Sequence, residues 1–154
     1  MTVAATLDVA EIESAIATVD DPEFPGVSIV DLGLLESVDI VGKKVVVGLV
    51  PTFSGCPALD VIRQDVVAAV MAMPGITDVD VRFLAAPRWS PERISEAARG
   101  KLASEFTVAV QISSRPVVCP RCKGATTEVA AFGPTRCRSV SRCVECGEIV
   151  EVVR

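Results

Sequence analysis

Apolar residues recur along the first half of the chain at two different periods, and the changes of period mark its elements. Val9, Ile12, Ala15, Ile16 and Val19 fall at helical spacing, and Asp8 with Glu11 three residues on makes a capping-box-like start, which predicts a helix over Asp8–Val19. It ends at Asp20-Asp21-Pro22-Glu23-Phe24-Pro25-Gly26, where two prolines and a glycine preclude continuation; this stretch reads as an acidic loop. Leu34 to Ile40 and Val45 to Val50 are rich in branched residues on either side of Val41-Gly42-Lys43-Lys44, which predicts an antiparallel hairpin with Asp39, Lys43 and Lys44 toward water. After Pro51, Pro57 suits the first turn of a helix whose apolar face is Leu59, Ile62, Val66, Ala69, Val70 and Met73, and Pro74-Gly75 stops it. Val79, Val81 and Phe83 alternate with Asp80 and Arg82, as in a strand with one solvated face. Ser90-Pro91 has the form of an N-cap and first helical residue, so a further helix is predicted from there to about Phe106. The order helix, strand, strand, helix, strand, helix is that of an α+β layer. Thr107 to Val118, passing through Ser113-Ser114-Arg115-Pro116, reads as a linker, which divides the chain into residues 1–108 and 109–154.

Half of the 154 residues are apolar and 23% charged, enough for one core and a small satellite, and this excludes a disordered chain. The apolar runs, such as Val45 to Val50 and Val66 to Met73, fall far short of the roughly 20 residues of a membrane span. Met1 to Ala10 has no basic residue and carries Asp8, so no secretory signal is expected; the chain reads as a cytoplasmic protein with no membrane partner. The net charge of -5 conceals an asymmetry, since residues 1 to 110 carry a net -8 and residues 111 to 154 a net +3. Histidine is absent, which removes the Ser-His-Asp triad, the Cys-His dyad and the His-ligated metal from consideration.

Five of the six cysteines lie in the last 36 residues. Cys119-Pro120-Arg121-Cys122 and Cys143-Val144-Glu145-Cys146-Gly147 are two Cys-x-x-Cys knuckles at the interval of a four-thiolate metal site. A stretch with so few large apolar side chains needs a metal to hold it together, and one structural zinc per chain is expected, with rubredoxin-like iron or a cluster as the other readings. Four thiolates around a divalent ion would add about -2 and largely cancel the basic excess. The tail also has a single aromatic residue, Phe132, so it lacks the stacking platforms of a nucleic-acid binder. Cys137 is a fifth cysteine among Arg136, Arg138 and Arg142: either a small buried hydrophobe, or an exchange thiol made acidic by those arginines.

In the first part, Cys56 follows Gly55 and precedes Pro57 at a predicted helix start, where the helix dipole favours a thiolate; otherwise it is a buried, inert residue at the cap. With no histidine to partner it, a cysteine hydrolase is disfavoured. Asp20, Asp21 and Glu23 read as a solvated loop, and Asp31 as a turn cap.

Asp21-Pro22-Glu23, Ile29-Val30-Asp31-Leu32-Gly33 and Thr52-Phe53-Ser54-Gly55-Cys56-Pro57, in that order, resemble the metal-sulfur cluster biosynthesis family of small α+β iron-sulfur assembly domains, over the first hundred residues or so. The tail, with Phe132-Gly133-Pro134-Thr135-Arg136-Cys137-Arg138 between its knuckles, looks like the zinc-ribbon-like module of the PaaD family, accessory proteins of phenylacetyl-CoA epoxidase. The resemblance implies a small helix-plus-three-stranded-sheet domain followed by a β module. It implies a non-enzymatic factor that matures the iron-sulfur centre of a multicomponent oxygenase, with oxygenase and reductase subunits as partners and a homodimer left open. Cys56 would then be a transient ligand of iron or a cluster, with Asp21 and Glu23 as its acidic loop, and Cys119, Cys122, Cys143 and Cys146 would hold the structural metal. The alternative is a structural adaptor of the oxygenase that transfers no metal; exposure and reactivity of Cys56 separate the two.

Overall fold

The computed structural model describes residues 6–135 and 137–154. The chain divides into two compact units, Met1–Trp89 and Ser90–Arg154.

In the first unit the opening helix α1 (Val9–Ile16) starts where Asp8 accepts a hydrogen bond from the Ala10 amide at 3.1 Å. It stops short of the predicted Val19 because the backbone tightens into three-residue turns, Thr18 N–H to Ala15 O and Val19 N–H to Ile16 O, which still bury Val19. The acidic stretch that follows is a hairpin rather than a loop: β1 (Asp20–Asp21) pairs antiparallel with β2 (Phe24–Ser28). Its turn is held by carboxylates, with the Glu23 amide donating to Asp21 Oδ1 at 2.8 Å and the Gly26 amide to Asp20 Oδ2 at 2.9 Å. Pro25 is tolerated because a two-stranded ribbon leaves each strand an open edge.

The predicted hairpin is β3 (Leu35–Val41) with β4 (Lys44–Leu49), and α2 (Ala58–Met71) carries the chain over to β5 (Asp78–Phe83), parallel to β4. The sheet order β3-β4-β5 puts β4 in the centre, where Val45, Val47 and Leu49 are fully buried. α2 contributes Ile62, Val66 and Val70 to the core, and α1 adds Ile12 and Ile16. Asp39 and Lys43 are exposed as predicted, whereas Lys44 is half-buried and pairs with Asp78 at 3.0 Å.

The second unit holds a 3-10 turn (Pro91–Arg93), α3 (Glu96–Phe106), β6 (Val108–Val110), β7 (Thr126–Ala130), β8 (Arg138–Cys143) and β9 (Ile149–Val153). Its sheet runs β6-β9-β8-β7, with β6 parallel to β9 and the other pairs antiparallel. The helix predicted from Ser90 begins only at Glu96. Ile94 is extended and buried, which interrupts the helix, and Ser95 is the true cap, its Oγ accepting from the Ala98 amide at 3.1 Å. The predicted linker contains β6, and α3 packs on that strand, so the compact units separate before Ser90 rather than after residue 108. Among the described residues no helix is long and apolar enough to cross a membrane.

Candidate metal centre and the Cys56 loop

The two knuckles of the second unit have the same backbone form. In the first, the Lys123 amide donates to Cys119 O (2.9 Å) and the Cys119 amide to Gly124 O (2.9 Å). In the second, the Gly147 amide donates to Cys143 O (3.1 Å) and the Cys143 amide to Glu148 O (2.9 Å). Each closes on a residue in the left-handed region directly after the second cysteine, Lys123 at φ 64° and Gly147 at φ 77°. The turns bring four sulfurs together, all within 4.8 Å of one another; Cys119 Sγ lies 3.8 Å from Cys146 Sγ, and Cys122 Sγ 3.4 Å from Cys143 Sγ. Tetrahedral thiolate ligation with metal-sulfur bonds of about 2.3 Å sets the sulfurs about 3.8 Å apart, so this arrangement fits one ion.

Backbone amides already treat the sulfurs as thiolates. The Gly124 amide lies 3.4 Å from Cys122 Sγ, and the Cys146 amide, the chief influence on Cys143, draws that thiol down to about 6. At Cys146 the Glu148 amide favours the thiolate, but the Cys122 sulfur beside it opposes ionisation and the thiol is pushed up to about 12. At Cys122, likewise, the Gly124 amide favours ionisation while the Cys143 sulfur opposes it, and the thiol stays above its ordinary range. Four sulfurs this close cannot all carry charge alone, and a divalent cation removes the conflict. Cys119 and Cys143 are buried and form a small cluster with Val150 and Val152, whereas Cys122 and Cys146 are exposed. Sequence reasoning passed over Gly124. A Cβ there would stand 2.6 Å from Glu145 Cγ and 3.2 Å from Cys122 Sγ, so only glycine lets the second knuckle pass this close to the first.

Cys137 is outside the sulfur group, half-buried, with its Sγ 3.2 Å from Thr135 Oγ1. Of the arginines around it in sequence, Arg136 lies outside the described residues. Arg138 is buried in an ion pair with Glu151 and also donates to Thr135 Oγ1 at 2.9 Å, and Arg142 lies at the second knuckle beside Gly147. Arg138 is thus engaged across the β8/β9 pair instead of being left to acidify the neighbouring thiol.

In the first unit, Cys56 is half-buried, one residue before Pro57, which caps α2 in place of occupying its first turn. Its carbonyl accepts the Leu59 amide at 3.1 Å. Gly55, at φ 86° with open space where a Cβ would be, keeps the approach to the cysteine clear. The loop before it, Thr52 to Ser54, lines a cleft of about 470 Å³ opposite Leu84, Arg88 and Trp89. Trp89 fixes that cleft, its Nε1–H donating to Leu32 O at 2.8 Å in the Asp31-Leu32-Gly33 turn. The sequence marks Trp89 only as the single tryptophan. Asp21 is half-buried in β1, a neighbour of α2, with Glu23 in the turn after it. Among the described residues, the four knuckle cysteines are the one group of three or more cysteine or acidic side chains that the fold gathers at metal-binding range, and Cys56, Asp21 and Glu23 are not gathered into another.

Comparison with known proteins divides along the same lines. Residues 9–83 match the family model of an iron-sulfur cluster assembly protein, and residues 103–154 that of a PaaD zinc beta ribbon domain. An Escherichia coli (strain K12) protein provisionally named as a component of 1,2-phenylacetyl-CoA epoxidase is 33% identical over 146 residues, 90% of this chain and 87% of that one. An Fe-S protein maturation auxiliary factor of Porphyromonas gingivalis is 36% identical over 89 residues, 57% of this chain and 84% of its own. The crystal structure of a DUF59 domain of unknown function from Bacillus anthracis superposes with a TM-score of 0.58 at 31% identity, covering 62% of this chain and 92% of that one. With both models in order along the chain and a relative aligned across nearly all of it, this protein belongs to the PaaD family, an iron-sulfur cluster assembly domain joined to a zinc beta ribbon.

Proposed function

We propose that this chain is a non-enzymatic assembly factor that receives iron or an iron-sulfur cluster as cargo at Cys56 and passes it to a multicomponent oxygenase in the cytoplasm. The name of the Escherichia coli relative favours a phenylacetyl-CoA epoxidase as the client, with its oxygenase and reductase subunits as partners. The observation that carries the reading is the placement of Cys56: half-buried rather than sealed in the core, behind a Gly55 that leaves its approach open. The positive end of the α2 dipole favours a thiolate there, and a thiolate with open coordination positions around its cargo allows ligand exchange. Asp21 and Glu23 are proposed as oxygen donors that join once cargo is bound. Hard oxygen ligands hold ferrous iron loosely, which suits delivery.

In the second unit the proposed metal is zinc, one ion per chain on Cys119, Cys122, Cys143 and Cys146. It supplies folding energy, and saturation of its four positions keeps it out of the transfer. Cys137, outside that set, is proposed as a second exchange thiol.

Alkylation of the native, metal-replete protein with iodoacetamide tests the reading, because metal masks the knuckle thiolates. Cys56 should react first, and Cys56→Ala should leave stability within about 1 kcal/mol while abolishing cluster loading of the client. A Cys56 that resists alkylation until the first unit unfolds, in a chain whose Ala variant still matures its client, would establish the adaptor instead.

A further inference from the structure

We propose that the cleft along β6 in the second unit docks an extended acidic segment of a partner protein. The cleft, of about 280 Å³, is lined by the apolar side chains of Val108, Val110 and Ile112 and by three cations, Arg99, Arg115 and Lys123. Among the described residues no Asp or Glu lines it, and none of the three cations is in an ion pair. Arg99 donates through Nη2 to Glu92 O at 3.3 Å and Lys123 through Nζ to Pro120 O at 3.4 Å, both neutral carbonyls. The Glu92 carboxylate offsets part of the Arg99 charge, while Arg115 and Lys123 have no carboxylate paired with them among the described residues.

The Nε–H of Arg99 is buried and meets no acceptor. A guanidinium has no lone pair to offer in exchange, and a buried donor left open in this way is rare; a carboxylate is the acceptor whose geometry and charge fit it. The apolar lining calls for more than a lone anion, since it can bury side chains between the acidic positions. β6 is an edge strand of its sheet and runs along the cleft, the setting in which extended peptides are recognised. Charge distribution gives the same direction: the net +3 over residues 111 to 154, brought to about +1 by four metal-bound thiolates, stands against -8 before them, so an acidic partner is repelled by the first part of the chain and not by this one.

The test uses the full-length, zinc-loaded chain and fluorescence anisotropy of a fluorescein-labelled decapeptide of alternating Glu and Val, beside its Gln-Val counterpart. The acidic peptide should bind about tenfold or more tightly than the neutral one, with an affinity that falls as salt rises. Arg99→Gln should weaken binding by about tenfold, as expected for a charge-assisted contact. Because Arg99 is half-buried and its loss can unsettle α3, the exposed pair Arg115→Ala/Lys123→Ala carries the test, with metal content and circular dichroism held at the parent's values. Cys56→Ala should bind the peptide as the parent does, so this docking and the cargo role of Cys56 stand or fall separately. Absence of saturable binding, equal binding of the two peptides, or an Arg115→Ala/Lys123→Ala variant that binds like the parent would overturn the proposal. So would displacement of the peptide by octanoate or by a single-stranded oligonucleotide at lower concentration than by unlabelled peptide.

Discussion

Cys122→Ser removes one sulfur from the four-cysteine group without opening a cavity, because Cys122 is exposed whereas Cys119 and Cys143 are buried beside Val150 and Val152. Any loss therefore reports ligation rather than packing. Structural zinc sites of this kind bind with about 10–16 kcal/mol, and an even share among four thiolates makes one ligand worth about 2.5–4 kcal/mol, a hundred- to a thousandfold in metal affinity. That is comparable with the about 1.5–3 kcal/mol that burying a valine supplies, so loss of one ligand weighs on this small module as heavily as loss of a core side chain. The variant should lose its ion to a chromophoric chelator at concentrations the parent withstands. Proteolysis should then nick the chain between residues 115 and 154, while the first unit, with its own core of Ile12, Val47, Leu49 and Val66, keeps its cooperative unfolding transition. An ion retained at parental affinity, measured by mass spectrometry and chelator competition, would refute the assignment of Cys122 as a ligand.

Three further substitutions address residues with distinct jobs. Gly124→Ala should loosen the site by forcing Glu145 and Cys122 apart, read as faster zinc transfer to chelator, and an unchanged transfer rate would show that the knuckles can shift at no cost. Cys137→Ser should keep the full complement of metal while lowering the yield of mature client, and full activity in a client-maturation assay would reduce Cys137 to a packing residue. Trp89→Phe should cost about 1 kcal/mol by leaving Leu32 O without its donor, seen as a lower urea midpoint at constant slope; an unmoved midpoint would deny that the hydrogen bond anchors the cleft.

What could be read before folding was local. The knuckles are legible because their ligands are three residues apart, and the sequence spacing alone predicts the turn that joins them. The hairpin about Gly42 and the apolar face of α2 are legible for the same reason, since both periods repeat within a dozen residues. β6 was not, because three residues carry no measurable period and its partner β9 lies some forty residues on, in parallel. The start of α3 was misplaced because Ser90-Pro91 and Ser95-Glu96 offer equally good caps, and only the burial of Ile94 in an extended conformation decides between them. The acidic hairpin was hidden by Pro25 and Gly26, which read as breakers, although an open strand edge accepts both. Nor does proximity in sequence reveal where a guanidinium goes: Arg138 is adjacent to Cys137 yet directs its charge to Glu151, on the next strand.

The same side chain meets two opposite requirements in this fold, and backbone geometry separates them. A knuckle cysteine is converged upon by three other sulfurs and by amides that stabilise its thiolate, so an ion there has no open position through which an incoming ligand could begin exchange. Among the described residues, Cys56 is not gathered with other cysteine or acidic side chains at metal-binding range, and the residue before it carries no side chain. A saturated site resists transfer because each sulfur that dissociates is held within 4.8 Å of its fellows and rebinds. One thiolate joined by loosely held oxygen donors lacks that restraint, and its occupancy follows the concentration and affinity of the next acceptor. An assembly factor with both kinds of site can therefore retain its structural metal under conditions that strip its cargo. Titration of loaded protein with a moderate chelator should accordingly show two steps, iron leaving first and in parallel with recovery of Cys56 alkylation, zinc leaving second and in parallel with loss of the ribbon. A single step in which both metals depart together would show that the two sites are not energetically separate.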